Sequence, residues 1–179
     1  MDLFDQKKCL ESMIILVDTR EQPSAKSIRR YKRFCCPFRR QKLDYGDYTY
    51  SFTLPDGTEL IKESDVSPKP SVVIERKMGL EELSGNLAQQ RKRFVAEMDR
   101  AHKEGASIYL LVEDASWDDV ISGQYGTMFN PESFFHTLTA FSVRYGLKII
   151  FCEHDHSGEI IKEILYRELK ERLEAGYYD

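Results

Sequence analysis

Glu75 and Lys77 stand two residues apart at the end of an apolar run, Val72-Val73-Ile74. Bounded by Pro70 and Gly79, this run reads as a short buried strand. Side chains alternate faces along a strand, so Glu75 and Lys77 leave one face and Arg76 the other. Charge at the edge of an apolar core is costly unless it is paired or serves a site. Two further strand ends carry acids. Asp47 follows Gly46 and precedes the β-prone run Tyr48-Thr49-Tyr50, and the apolar run 13–17 ends in Asp18-Thr19-Arg20-Glu21. Two carboxylates can hold a hard divalent ion through oxygen, and a lysine beside them steadies an attacking water or the phosphate charge. Metal-assisted phosphodiester hydrolysis requires that set.

Each residue alone has a plainer reading. Asp47 could be a turn aspartate, and Glu75 with Lys77, or Asp18 with Arg20, an ion pair of small worth. Together and in order, Val17-Asp18-Thr19-Arg20-Glu21, Gly46-Asp47-Tyr48 and Ile74-Glu75-Arg76-Lys77 resemble the motifs of the XPF family of structure-specific DNA endonucleases. That family's signature is Gly-Asp, a variable gap, Glu-Arg-Lys, three residues, then Asp. Here Met78, Gly79 and Leu80 are followed by Glu81, and Glu82 can take the last place if the alignment slips by one. The 27 residues between Asp47 and Glu75 make a long gap for the family. The resemblance runs over roughly residues 13–113, with a continuation expected to the end.

The resemblance implies a metal-dependent endonuclease acting on branched DNA or on single-strand/double-strand junctions. Asp47, Glu75 and the Arg76 carbonyl are the expected ligands of Mg²⁺, with Mn²⁺ as a substitute. Lys77 is expected to orient water or offset phosphoryl charge, and Arg20 to hold a phosphate. Asp18 and Glu81 are expected around the metal shell. Nuclease domains of this family pair through their helices, so a homodimer is implied. No stretch reads as the tandem helix-hairpin-helix module of the family. The competing class is a nuclease-like module that grips DNA or a partner without cutting. Inactive partners typically lose these acids; Asp47, Glu75 and Lys77 are all present.

The net charge of −4 argues mildly against a nucleic-acid partner, but its distribution matters more. Residues 22–43 hold Lys26, Arg29, Arg30, Lys32, Arg33, Arg39, Arg40 and Lys42 without one acid. A run of like charge without counter-charge favours phosphate binding, so Arg29, Arg30, Arg33, Arg39 and Arg40 are candidate DNA contacts. Arg91 and Arg93 form a second basic group, which equally suits a solvated helix face. Apolar content of 41% and charged content of 31% describe a globular chain, and no apolar run reaches the ~20 residues of a membrane helix. Four cysteines, two adjacent, form no disulfide framework, which fits a reducing interior, cytoplasmic or nucleoid-associated. Cys152, His154 and His156 could share a strand face, but no fourth zinc ligand is apparent.

The elements that must position these residues alternate between strand and helix. Residues 1–12 read as an arm, and 13–179 as a single domain. Strands are expected over 13–17, 34–43, 48–54, 59–61, 71–77, 107–113 and 147–152, with Pro55-Asp56-Gly57 closing a hairpin. Helices are expected over 24–33, from Leu80 to Gly105 with a break at Gly85, over 117–121, from Pro131 to Tyr145 and over 157–173. The pattern is α/β, one mixed sheet flanked by helices. The resemblance makes this the restriction-endonuclease-like fold. Ile160, Ile161 and Ile164 widen one helix stripe, and Phe134, Phe135 and Phe141 enrich another, which gives weak support to pairing.

Overall fold

The computed structural model describes all 179 residues. Its strands are β1 (Ile14–Val17), β2 (Phe38–Arg40), β3 (Tyr48–Ser51), β4 (Val72–Lys77), β5 (Ser107–Glu113) and β6 (Lys148–Cys152). They form one mixed sheet in the order β2-β1-β3-β4-β5-β6. β4, β5 and β6 run parallel, β3 is antiparallel to both β1 and β4, and β2 is parallel to β1. The helices are α1 (Leu3–Glu11), α2 (Ala25–Arg33), α3 (Leu80–Ala88), α4 (Arg91–Lys103), α5 (Trp117–Ser122), α6 (Pro131–Tyr145) and α7 (Ser157–Glu174).

The two-residue period of β4 sorts its side chains between two cores. Val73 joins Leu83, Leu87, Phe94, Ile108, Leu110 and Phe141 under α3, α4 and α6. Val72 and Ile74 join Tyr48, Tyr50, Leu111, Ile161, Leu165 and Leu169 under α7. Glu75 and Lys77 therefore belong to the α3–α4 side and Arg76 to the α7 side, as strand alternation requires.

Local chemistry sets the helix ends. Ser24 and Ser27 cap α2 reciprocally, Asn130 caps α6 ahead of Pro131, and Gly146 ends α6 in the left-handed region. α7 meets α2 at Gly158, where an added Cβ would collide with the Arg30 carbonyl oxygen and lie 2.7 Å from Arg33 Cβ.

Four expectations shift. The arm 1–12 is largely the helix α1, anchored by buried Cys9 and lying beside α7. The strand over 34–43 shrinks to Phe38–Arg40, with Pro37 just before it. The hairpin turn forms, with Leu54 N–H donating to the Thr58 carbonyl, but its ladder is one bridge, Thr53 to Glu59. The helical break falls at Gln89–Gln90 rather than at Gly85, which lies within α3. The wide apolar stripes are used inside the chain. Ile161, Leu165, Leu169 and Leu173 of α7 are buried, as are Phe134, Leu138 and Phe141 of α6. Ile160 and Ile164 pack against the same core.

Candidate active site

The Gly46-Asp47 turn is pinned where β3 begins. Gly46 sits at φ +74°, and a Cβ there would lie 2.7 Å from Val73 Cβ, so only glycine fits. Asp47 N–H donates to the Ile74 carbonyl at 2.9 Å, and Asp18 N–H donates to the Asp47 carbonyl at 2.8 Å. The Asp47 carboxylate accepts the Arg76 N–H at 2.8 Å. The ends of β1, β3 and β4 thus converge on one point.

That point opens into a cavity of about 340 Å³ lined by Arg20, Asp47, Glu75, Lys77, Glu82, Asn86, Gln90, Arg93, Phe94 and Glu97. Lys77 Nζ donates to Glu75 Oε1 at 2.6 Å and lies 3.8 Å from Glu82. Burial first, then the Glu75 carboxylate, holds Asp47 well above the usual carboxylate range. Burial also raises Glu75, with Lys77 opposing and Glu97 adding to the rise. Burial works against the Lys77 charge, but Glu75 and Asp47 outweigh it and the ammonium is held more firmly than usual. Two carboxylates thus crowd one partly dry space, an arrangement that a divalent cation would relieve. No group of three or more His, Cys, Asp or Glu side chains is arranged to hold a metal. The side chains therefore offer two hard oxygen donors, and main-chain oxygen and water would complete a shell.

Asp18 is fully buried and makes four hydrogen bonds, to Arg20 N, Nε and Nη2 and to Leu43 N, between 2.7 and 3.2 Å. Its oxygens are used in holding Arg20, whose charge is strengthened by that contact. Arg20 remains 41% exposed, and its Nη1 makes no protein hydrogen bond. Glu81 faces away from the cavity: its Oε1 accepts Gly126 N–H at 3.0 Å and ties down the loop 123–130. Glu82 lines the cavity, and its Oε2 accepts Met78 N–H at 2.8 Å.

Behind β4, Arg76 meets a different set. Its Nε donates to Glu21 at 2.7 Å and its Nη1 to Glu113 at 3.2 Å. Arg30 donates to Glu113 at 2.8 Å, to Tyr48 Oη at 3.2 Å and to Ser157 Oγ at 3.0 Å. Arg30 is 4% exposed, so it is withdrawn from the basic surface expected of it. Burial works against the Glu21 charge, but Arg76 prevails and lowers its pKa.

The other basic residues divide. Arg29 and Arg33 are exposed and, with Lys26 and Lys32, line a cleft of about 150 Å³. Arg33 also pairs with Glu159 at 3.0 Å. Arg39 is mostly engaged by Glu59, Gln41 and the Ile61 carbonyl. Arg40 holds the carbonyls of Thr19 and Glu21. Arg93 lines the cavity of Asp47 and Glu75, whereas Arg91 lies over Phe141. A second cavity of about 310 Å³ shares Arg20, Asp47, Lys77 and Glu82 with the first and Lys26 with the basic cleft. A continuous polar path therefore runs from Arg93 past Asp47 to Arg33. At the far end of that cleft His154, which also lines it, pairs with Asp114, and His156 pairs with Glu159. Tyr125 and Phe129 pack edge-on against Phe134.

The ERCC4 domain profile matches residues 17–164, which include all these cavity residues. The chain belongs to the ERCC4 domain family. Members of this family are nucleases. No curated protein is similar in sequence. Among solved structures, XPF from Aeropyrum pernix is similar in fold, with a TM-score of 0.59 at 17% identity, over 87% of this chain and 61% of that one. The same protein in complex with DNA matches with a TM-score of 0.60 at 18% identity, over 89% of this chain and 66% of that one. The chain spans less than two thirds of the length of either. No helix is long and apolar enough to cross a membrane.

Glu97, on α4, is the cavity carboxylate that the motifs did not single out. It follows Phe94 at helical spacing and reads as ordinary amphipathic surface. Only the packing of α4 beside the Gly46 turn reveals it, where its Oε1 accepts Gly46 N–H at 3.1 Å.

Proposed function

We propose that this chain is a divalent-metal-dependent DNA endonuclease. The observation that carries the reading is the cavity shared by Asp47, Glu75 and Lys77, in which both carboxylates are raised by burial and crowding. Asp47, Glu75 and the Arg76 carbonyl would hold Mg²⁺, or Mn²⁺ in its place, which when bound supplies Lewis-acid activation of water and phosphate. Lys77, fixed by Glu75 at 2.6 Å, orients the attacking water or offsets charge on the phosphoryl oxygens. Arg20 offers its free Nη1 to a phosphate while Asp18 keeps the guanidinium in place. Arg93 on one side and Lys26, Arg29 and Arg33 on the other follow the backbone through charge, without reading bases.

Asp47→Asn removes one donor of hard-ion charge and leaves an acceptor for the Arg76 N–H. Cleavage of a branched DNA in saturating Mg²⁺ should fall by about 10³-fold or more, with the fold intact by circular dichroism. Full cleavage by that variant would defeat the assignment. A branched or junction substrate and a homodimer follow from the family likeness alone, since α6 and α7 use their main apolar faces within the chain. Light scattering with and without junction DNA tests the dimer. A monomer mass in both conditions would leave a single-strand nickase.

A further inference from the structure

We infer that Glu97 is a positioning residue that sets Asp47 through the backbone. The inference rests on the endonuclease reading for its catalytic consequence, but not for its structural one. Glu97 is 9% exposed and lines the cavity of Asp47 and Glu75. Its Oε1 accepts the Gly46 N–H at 3.1 Å and lies 3.8 Å from Arg20 Nη2. Its Oε2 has no protein partner and is not sealed from solvent.

The Gly46-Asp47 turn has three backbone anchors. Two are main chain to main chain, at Ile74 and at Asp18. The third is Glu97, the only side chain that accepts from the turn's own backbone and the only anchor from across the cavity; the Asp47 carboxylate adds its own bond from Arg76 N–H. Gly46 stands in the left-handed region, packed against Val73, and has no side chain of its own with which to fix the turn. Without Glu97 the Gly46 N–H would lose its acceptor in a buried place, which favours a rotated turn. A small rotation there moves the Asp47 carboxylate away from Glu75, and a misplacement of 1 Å can cost about 10²-fold in rate.

Reach and charge can be separated by two variants. Glu97→Gln keeps an oxygen at the same reach and loses the charge. Glu97→Asp keeps the charge and withdraws it by one methylene. Hydrogen exchange at the Gly46 amide reads the contact directly and needs neither metal nor activity. The Gln variant should keep the amide protected, whereas the Asp variant should exchange at least about fivefold faster, the factor an ordinary hydrogen bond supplies. Single-turnover cleavage should follow the same order, with Gln within about threefold of the parent and Asp about 10²-fold slower. The reverse order would mean that charge, not reach, is what matters, and would overturn the inference. Equal exchange in all three proteins, or equal loss in both variants, would overturn it too. If the parent protein does not cut DNA, the endonuclease reading fails while the exchange measurement still decides the role of Glu97.

Discussion

The two faces of β4 carry the same residue types in opposite conditions. Behind the strand, Arg30 and Arg76 meet Glu21 and Glu113, with Tyr48 and Ser157 taking further donors. Two cations balance two anions, and all four side chains are mostly buried. In front, Asp47, Glu75, Glu82 and Glu97 outnumber Arg20, Lys77 and Arg93 around an open cavity. A closed group satisfies its charges internally and contributes rigidity. An open group leaves charge unsatisfied, which costs stability and creates demand for a ligand. One residue step along a strand separates the two conditions.

The largest effect should come from breaking the closed side. Glu113→Ala leaves Arg30 and Arg76 without a shared, fully buried acceptor. Removing one member of such a group costs about 3–5 kcal/mol, measured by urea unfolding. A loss no greater than that of an exposed ion pair would remove the contrast.

A smaller effect of opposite sign should come from the open side. Asp47 has a raised pKa, so its ionised form disfavours the native state. Asp47→Asn should therefore stabilise the metal-free protein, by about 1 kcal/mol at neutral pH. The gain should vanish as pH falls below the ordinary carboxylate pKa near 4, where both states are protonated. Glu21 has a lowered pKa, so its stabilisation is present above the unfolded value and is lost as pH falls through the folded one. Glu21→Gln should thus destabilise at neutral pH and lose that effect in acid. Parallel unfolding curves between about pH 2 and 8 would separate the two sides, and equal signs would erase the distinction.

The smallest effect concerns binding. Arg29→Ala and Arg33→Ala together should lower the slope of log affinity against log salt by about two on duplex DNA. Arg30→Ala should unsettle the fold and leave the slope nearly unchanged in whatever protein remains folded. A slope that ignores Arg29 and Arg33 would return that cleft to ordinary surface.

Much of the frame was legible because its signals are local. Val72-Val73-Ile74, the run Ile108-Tyr109-Leu110-Leu111-Val112 and the Pro131-to-Gly146 helix carry their own propensity and caps. α1 was not legible, because little in its own residues favours burial and its order depends on Cys9 meeting the core under α7. Within the site, the motif acids were readable from strand ends. The split of the basic run was not. Arg30 differs from Arg29 through Tyr48, 18 residues away, Glu113, 83 residues away, and Ser157, 127 residues away. That Glu81 turns to Gly126 while Glu82 lines the cavity depended on a loop with no periodicity. Glu97 depended on the approach of α4 to a turn 51 residues earlier. Such partners are set by tertiary packing, which spacing along the chain does not encode.

The contact at Gly158 extends the reach of the closed face. Ser157, its neighbour, accepts from Arg30 only because α7 can lie directly against the backbone of α2. Any larger residue at 158 would part the two helices at that point and lift Ser157 away from Arg30. In terms of mutational tolerance, position 158 is bound through Arg30 to Glu113 and Arg76 without touching either. Neutral drift is closed there by the missing volume of a single methyl group.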